Sequence, residues 1–211
     1  VTKSLTMPET LSLTQAMRYN RQIVLPQVDL SGQEALLSAN VLILGVGGLG
    51  CTAAQLLCSS GVGQLTLIDD DVVEQTNLPR QILFTDDQIG QKKVEAARHR
   101  LLNMNSECKV TTLDARPDDK QLMALINQHN IVIDCTDNLK SRRQINRLCY
   151  QQQVPLVIGA AIRFEGQIQI IDPRQHTACY QCVSQFISDT ELSCTEAGIM
   201  APVVTAIGNQ Q

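Results

Sequence analysis

Residues 41–69 read VLILGVGGLGCTAAQLLCSSGVGQLTLID, and this stretch decides the fold. Val41 to Leu44 is an unbroken apolar run, as suits a strand buried on both faces. It runs into Gly45-Val46-Gly47-Gly48-Leu49-Gly50. Cys51 to Cys58 is small, apolar and free of proline, which predicts a helix ended by Gly61 and Gly63. Leu65 to Ile68 is a second apolar strand, closed by Asp69. Strand, glycine turn, helix, strand and acid make one βαβ unit carrying G-x-G-x-x-G.

Each glycine has a separate physical reason. Gly45 allows the tight turn out of the strand, Gly47 lets backbone approach a phosphate, and Gly50 lets the helix pack close on the sheet. The first N–H groups of the helix then face an anion, which the helix dipole favours. An acid at the end of the second strand, Asp69, is placed to accept a ribose hydroxyl. The fingerprint predicts nucleotide binding but does not separate NAD from ATP.

The rest of the 211 residues narrows the class. A net charge of −4 gives no basic field for nucleic acid, and the few aromatics, with no Trp, favour an aliphatic α/β core. No apolar run has the length of a membrane span. Val1 to Thr14 lacks the features of a signal peptide and is expected to be disordered. A cytoplasmic protein is therefore the default expectation, with its eight cysteines mostly reduced. Cys51, Cys58, Cys108, Cys135 and Cys149 sit in apolar or strand-like settings and read as core filler.

Working outward, Leu11 to Ile23 has helical spacing, and Gly32 to Ser38 reads as a second short helix. Val73 to Phe84 is turn-like and contains Asn77 and Arg80; Lys92 and Lys93 open a helix running to about Asn103. A lysine there opposes the macrodipole and suggests an anion nearby. Cys108 to Leu113 is a strand, Asp118 to Gln128 a helix, and Ile131 to Cys135 a buried strand ending in Thr136-Asp137-Asn138. A helix to about Tyr150 and a strand from Val154 to Gly159 follow. The alternation predicts an α/β fold, a doubly wound, mainly parallel sheet. Arg163 to Asp172 alternates apolar and polar, which predicts an antiparallel strand toward the C-terminus. Arg98 to Arg100 and Lys140 to Arg143 read most simply as solvated helix faces, as does Arg21.

Cys179-Tyr180-Gln181-Cys182 is a C-x-x-C in a predicted loop. Two thiolates at this spacing can bind one Zn²⁺, but a tetrahedral site needs two more ligands. A redox pair fits less well, because the motif does not open a helix after the first strand of a thioredoxin-like pattern. Cys194, in a polar loop, is either a reactive thiol or an exposed one.

Taken together, the chain resembles the MoeB/ThiF/HesA family of adenylating enzymes for ubiquitin-like sulfur carriers. The resemblance is carried by Arg18-Tyr19-Asn20-Arg21-Gln22, the glycine turn, Asp69, Asn77 to Gln81, Lys93, Asp134 to Asn138, Gly159 to Gln167, the C-x-x-C, and Cys194 to Pro202. Residues 159–167 (GAAIRFEGQ) and 194–202 (CTEAGIMAP) look like the MoeB branch, which serves molybdopterin synthase. Asp69-Asp70-Asp71 and Arg80 to Phe84 look like the ThiF branch, which serves thiamine thiazole synthesis. The MoeB-like reading is favoured, and a single adenylation domain over residues 1–211 is expected.

The resemblance implies that the carrier's C-terminal glycine, the end of a Gly-Gly tail, is adenylated by ATP with release of pyrophosphate. It assigns the nucleotide to Gly45, Gly47, Gly48, Gly50, Asp69 and Asn77, phosphate charge to Arg80 and Lys93, and Mg²⁺ to Asp137. It implies that Arg21 reaches the nucleotide of a partner subunit, hence a homodimer, and that Cys179 and Cys182 are half of a structural zinc site completed by a second C-x-x-C beyond Gln211. Cys194 matches a cysteine linked covalently to the carrier in some members. Two rival readings stay open: an NAD-dependent oxidoreductase, and a scaffold that binds a carrier without activating it.

Overall fold

The computed structural model describes residues 11–175, 178–185 and 198–211. The described residues form a six-stranded sheet in the order β3-β2-β1-β4-β5-β6. The strands are β1 (Asn40–Leu44), β2 (Gln64–Ile68), β3 (Lys109–Leu113), β4 (Ile131–Asp134), β5 (Leu156–Ile162) and β6 (Glu165–Ile171). Every neighbouring pair is parallel except β5 and β6, whose antiparallel register starts at Ile162 opposite Glu165. The doubly wound sheet with an antiparallel C-terminal strand is as expected.

Alternation along the buried strands explains the two layers of helices. Val41 and Ile43 pack with Leu65, Leu67 and Ile133 on one face, against α4 (Gly48–Ser59), α5 (Lys93–Met104) and α9 (Ala201–Gln210). Leu42 and Leu44 pack with Ile68 and Val132 on the other, against α6 (Asp119–Gln128), α7 (Leu139–Gln152) and α8 (Tyr180–Ser184). Strands buried on both sides need apolar residues at every position, and this is the pattern the sequence carries. Cys51, Cys58, Cys108, Cys135 and Cys149 are all buried, as core filler should be.

The N-terminal segment departs from expectation. Helix α1 (Leu13–Arg18) begins inside the stretch 1–14 predicted to lack structure, because Ser12 and Gln15 cap it reciprocally. The single helix read over 11–23 is broken at Tyr19 into α1 and α2 (Asn20–Ile23), and α3 runs Asp29–Ser38. Tyr19 is buried, and its hydroxyl accepts from Asn105 Nδ2 at 2.9 Å. Gln22 Nε2 donates to Gln33 Oε1 at 2.7 Å and to the Ser60 carbonyl at 3.0 Å, and Gln33 Nε2 donates to the same carbonyl at 3.1 Å. These bonds tie α1–α3 to the C-terminal end of α4.

The C-terminal helix is held just as firmly. Arg163 N–H donates to the Gly198 carbonyl at 2.9 Å, and Met200 N–H returns a bond to Arg163 at 3.2 Å. This leads α9 over β5 and β6 and onto α4.

Gly63 shows how little space the sheet's other edge leaves: a Cβ there would lie 1.8 Å from the Leu37 carbonyl oxygen. Gly63→Ala should lower stability by about 2–3 kcal/mol, since backbone rather than a side-chain tip must yield. A thermal-melting midpoint lowered by roughly 5–10 °C, read by circular dichroism, is the expected result.

Candidate active site

The sheet's carboxyl edge splits between β1 and β4, because β1 feeds α4 on one face and β4 feeds α7 on the other. Open α/β sheets bind ligands in this crevice. A cavity of about 800 Å³ lies there. Its walls include Gly45, Gly47, Gly48, Asp69, Asn77, Arg80, Lys93 and Asp137, so eight residues predicted from scattered positions meet around one space.

The glycine turn is shaped by contacts that exclude side chains. Gly45 has φ +90°, and a Cβ there would lie 2.8 Å from the Cys135 carbonyl oxygen. A Cβ on Gly50 would lie 1.9 Å from the Gly45 carbonyl oxygen. Gly50 is not among the cavity-lining residues; it belongs to the packing of α4 beneath the turn. Asp69 fixes the turn from the side: its Oδ2 accepts from Val46 N–H at 2.6 Å, and its Oδ1 from Asp71 N–H at 2.9 Å. Burial pushes the Asp69 carboxyl up, against the pull of Lys93 and these two N–H groups.

Two cations, Arg80 and Lys93, stand on the α4/α5 side. Lys93 is buried and pairs with Asp71 Oδ2 at 2.8 Å, which answers the unfavourable lysine at a helix start. Arg80 Nη1 donates to the Thr76 carbonyl at 2.8 Å, orienting the guanidinium at the cavity wall. Gln81, also in the wall, is buried, and its Oε1 has no hydrogen-bond partner among the described residues.

The other rim comes from the end of β4. Asp134 is fully buried; its Oδ1 accepts from Thr136 N–H at 2.9 Å and Thr136 Oγ1–H at 2.6 Å, while Oδ2 has no partner among the described residues. Asn138 Oδ1 caps α7 by accepting from Ser141 N–H at 2.9 Å. Between them Asp137 is exposed to the cavity and makes no ion pair among the described residues.

Sequence reasoning missed other residues in this wall. Lys140 and Arg142, read as solvated charges, line the cavity. Arg142 donates to the Thr136 carbonyl at 3.1 and 2.7 Å and to the Gly159 carbonyl at 3.3 Å, tying the segment after β4 to the middle of β5. Arg116 was assigned nothing; it lines the cavity and binds Asp70. Helical spacing could not reveal these roles, which depend on the sheet order.

Four predicted site residues lie elsewhere or undescribed. Arg21 is exposed and absent from the cavity wall. Its segment is tied to the far end of α4, about 18 Å from the glycine turn at 1.5 Å per residue. Cys179 and Cys182 lie away from the cavity, at the start of α8 rather than in a loop, with sulfurs 4.0 Å apart. Burial alone would raise the Cys179 thiol, but donation from Asn146 and from the backbone of Cys182 and Gln181 outweighs it, so the net direction is down. Two sulfurs about 3.8 Å apart are what a tetrahedral Zn²⁺ requires, so the geometry fits a pair of zinc ligands. Cys194 lies outside the described residues.

A sequence model of the ThiF family matches residues 19–211. The chain belongs to the ThiF family. Among its ThiF-family relatives, the molybdopterin-synthase adenylyltransferase of Salmonella typhimurium is 49% identical over 201 residues, covering 95% of this chain and 81% of that one. The sulfur carrier protein ThiS adenylyltransferase of Escherichia coli is 40% identical over 195 residues, covering 92% and 78%. Among solved structures, PaaA superposes with a TM-score of 0.79 at 28% identity, covering all of this chain and 68% of that one. E. coli MccB, solved with ATP, gives 0.74 at 26% identity, covering 90% and 60%.

Asp134 supplies a test of the rim. Burial pushes its carboxyl up, against Thr136 and Arg142. A carboxyl raised by folding contributes stability that is full below the ordinary carboxylate range and is lost as pH rises through the raised value. Asp134→Asn keeps the acceptor for Thr136 without the charge. Denaturant titrations from about pH 4 upward should show wild-type stability falling with pH more steeply than the variant's.

Proposed function

We propose that this chain catalyses ATP-dependent adenylation of the C-terminal glycine of a ubiquitin-like sulfur carrier, for molybdopterin synthesis. One observation carries the reading: a single cavity at the sheet's switch point brings together a glycine turn, a ribose-type acid, the cations Arg80 and Lys93 and a strand-end carboxylate. Its volume, about 800 Å³, lies in the range of pockets that enclose whole ligands. The 49% identity to a molybdopterin-synthase adenylyltransferase supports the substrate class.

In this reading the carrier's terminal carboxylate oxygen attacks the α-phosphorus, the bond to the bridging oxygen breaks, and pyrophosphate leaves with that bond's electrons. Both reactants are anions, so fixed positive charge is the chief requirement. The N–H groups at the start of α4 face the phosphates, Arg80 and Lys93 neutralise their oxygens, and Asn77 and Asp69 hold the sugar side. Asp137 offers one carboxylate, which with phosphate oxygens and water suits Mg²⁺. Bound there, Mg²⁺ would supply further charge to the phosphates. Leu44, Ile68, Leu122 and Ile145 wall the α6/α7 end of the cavity and suit a nucleobase.

Arg21 cannot reach this cavity from its own chain, and exposed Leu13, Met17 and Val24 surround its segment, with Leu13 80% exposed. A second copy bringing Arg21 to the cavity would cover those side chains, which supports a homodimer. Cys179 and Cys182 supply half of a zinc site in the same reading. Thiamine synthesis is the second reading for the carrier, favoured by the acidic run at 69–71 and by the ThiS adenylyltransferase relative.

Labelled ATP or NAD⁺, incubated with and without a carrier ending in Gly-Gly, separates this enzyme from an oxidoreductase or a passive scaffold. Carrier-dependent ATP–pyrophosphate exchange is expected, and Arg80→Ala or Asp137→Ala should lower it by roughly 10²–10³. Exchange left near normal in both variants would overturn the assignments. Mixing Arg21→Ala with Arg80→Ala chains should recover part of the activity lost by each, because one of the two composite cavities is then intact.

A further inference from the structure

Arg116 is a cavity-lining cation for which the reaction above has no use. It stands in the connection from β3 to α6, between Ala115 and Pro117, which also line the cavity. Its Nε donates to both oxygens of Asp70, at 2.9 and 2.8 Å. Asp70 directly follows the ribose-type acid Asp69. The Asp70 side chain is 39% exposed and that of Arg116 is 79% exposed.

An arginine so open to water gains little from an ion pair, and holding its long side chain still has an entropic cost. Position gives the pair a different meaning. Arg80 and Lys93 come from the β2–α5 connection and α5, on the α4/α5 face. The β3–α6 connection turns to the opposite face, where Leu44, Ile68, Leu122 and Ile145 form the apolar end. Arg116 lines the cavity from that connection, with Lys140 of α7 also in the wall. A guanidinium is planar, weakly hydrated and stacks on aromatic faces. Pinned at Nε by Asp70, it leaves both Nη groups without partners among the described residues.

We propose that Arg116, held by Asp70, is a base-contacting residue whose guanidinium covers the outer face of the nucleotide's purine. This rests on the ATP reading above and goes beyond it, because it assigns selectivity for the base to a residue outside the phosphate machinery. The division of labour follows: cations on the α4/α5 side meet phosphate, and this one meets the ring.

Isothermal titration of the whole chain with ATP, AMP and tripolyphosphate tests it. Arg116→Ala should weaken ATP and AMP by the same factor, roughly five- to tenfold, and leave tripolyphosphate unchanged. Arg116→Lys should recover little of the loss, since an ammonium has no plane to stack. Asp70→Asn should show a smaller loss in the same direction. AMP binding unchanged in Arg116→Ala would overturn the inference. With ATP also unchanged, the pair is only a surface ion pair; with ATP and tripolyphosphate both weakened, Arg116 is a phosphate contact. Wild-type protein that bound no ATP would instead remove the adenylation reading, and this inference with it. Arg116 is exposed, so misfolding of its variants does not confuse the outcome; matched far-ultraviolet circular dichroism checks this.

Discussion

A carbonyl oxygen of Gly45 stands 1.9 Å from where a side chain on Gly50 would begin. No other amino acid fits without moving backbone, so the start of α4 is forced against the end of β1. That contact seats the first residues of α4, Gly48 and Leu49, in the crevice wall. It also leaves Val46 N–H to the Asp69 carboxylate at 2.6 Å, joining the turn to β2. The acid at the end of β2 is therefore part of the turn before any ligand arrives. Arg80, Lys93 and Asp137 hang from connections whose positions follow once β1, β2 and β4 are in register.

Electrostatics at the crevice is graded along its length. On the α4/α5 side, helix N–H groups and two cations make a wall for negative charge, with Asp71 fixing Lys93. On the α6/α7 side Leu44, Ile68, Leu122 and Ile145 add an aliphatic stretch beside the polar residues of α7. A molecule with an anionic end and a flat apolar end matches this gradient, which is why ATP suits it better than a uniformly charged ligand. Asp134 lies under the rim and is buried with one oxygen unpartnered. It shapes the turn through Thr136 and stays out of the cavity.

Much of this was legible in residues alone, and the reason is locality. The βαβ unit at 41–69 is written in neighbouring positions, and strand-end acids such as Asp69 and Asp137 follow directly from strand boundaries. Reading Cys51 to Cys149 as core filler needed only their apolar neighbours. What escaped depends on which strands become neighbours. Arg142 looks like any helix-surface charge until β4 and β5 pair and bring the Thr136 and Gly159 carbonyls within its reach. Arg116 gains its place only because β3 ends beside β2 and the Asp70 carboxylate. The break at Tyr19 was hidden for a similar reason: its partners are Asn105 and the neighbourhood of Gly61, both far along the chain. Residues 179–184 resembled a loop because so short a helix has too few turns to show a period.

Helix α9 touches the glycine turn directly. Val204 lies so near Gly48 that a methyl group on the glycine would overlap it, and Gly208 sits against the Leu49 carbonyl oxygen at a Cβ distance of 2.7 Å. Positions 48 and 204 thus share one small volume although they are distant in sequence. During divergence neither can enlarge alone: a bulkier residue in the turn must be matched by a smaller one in the late helix. Helix α9 is thereby kept under the same selection as the glycine turn, from which it is remote in sequence.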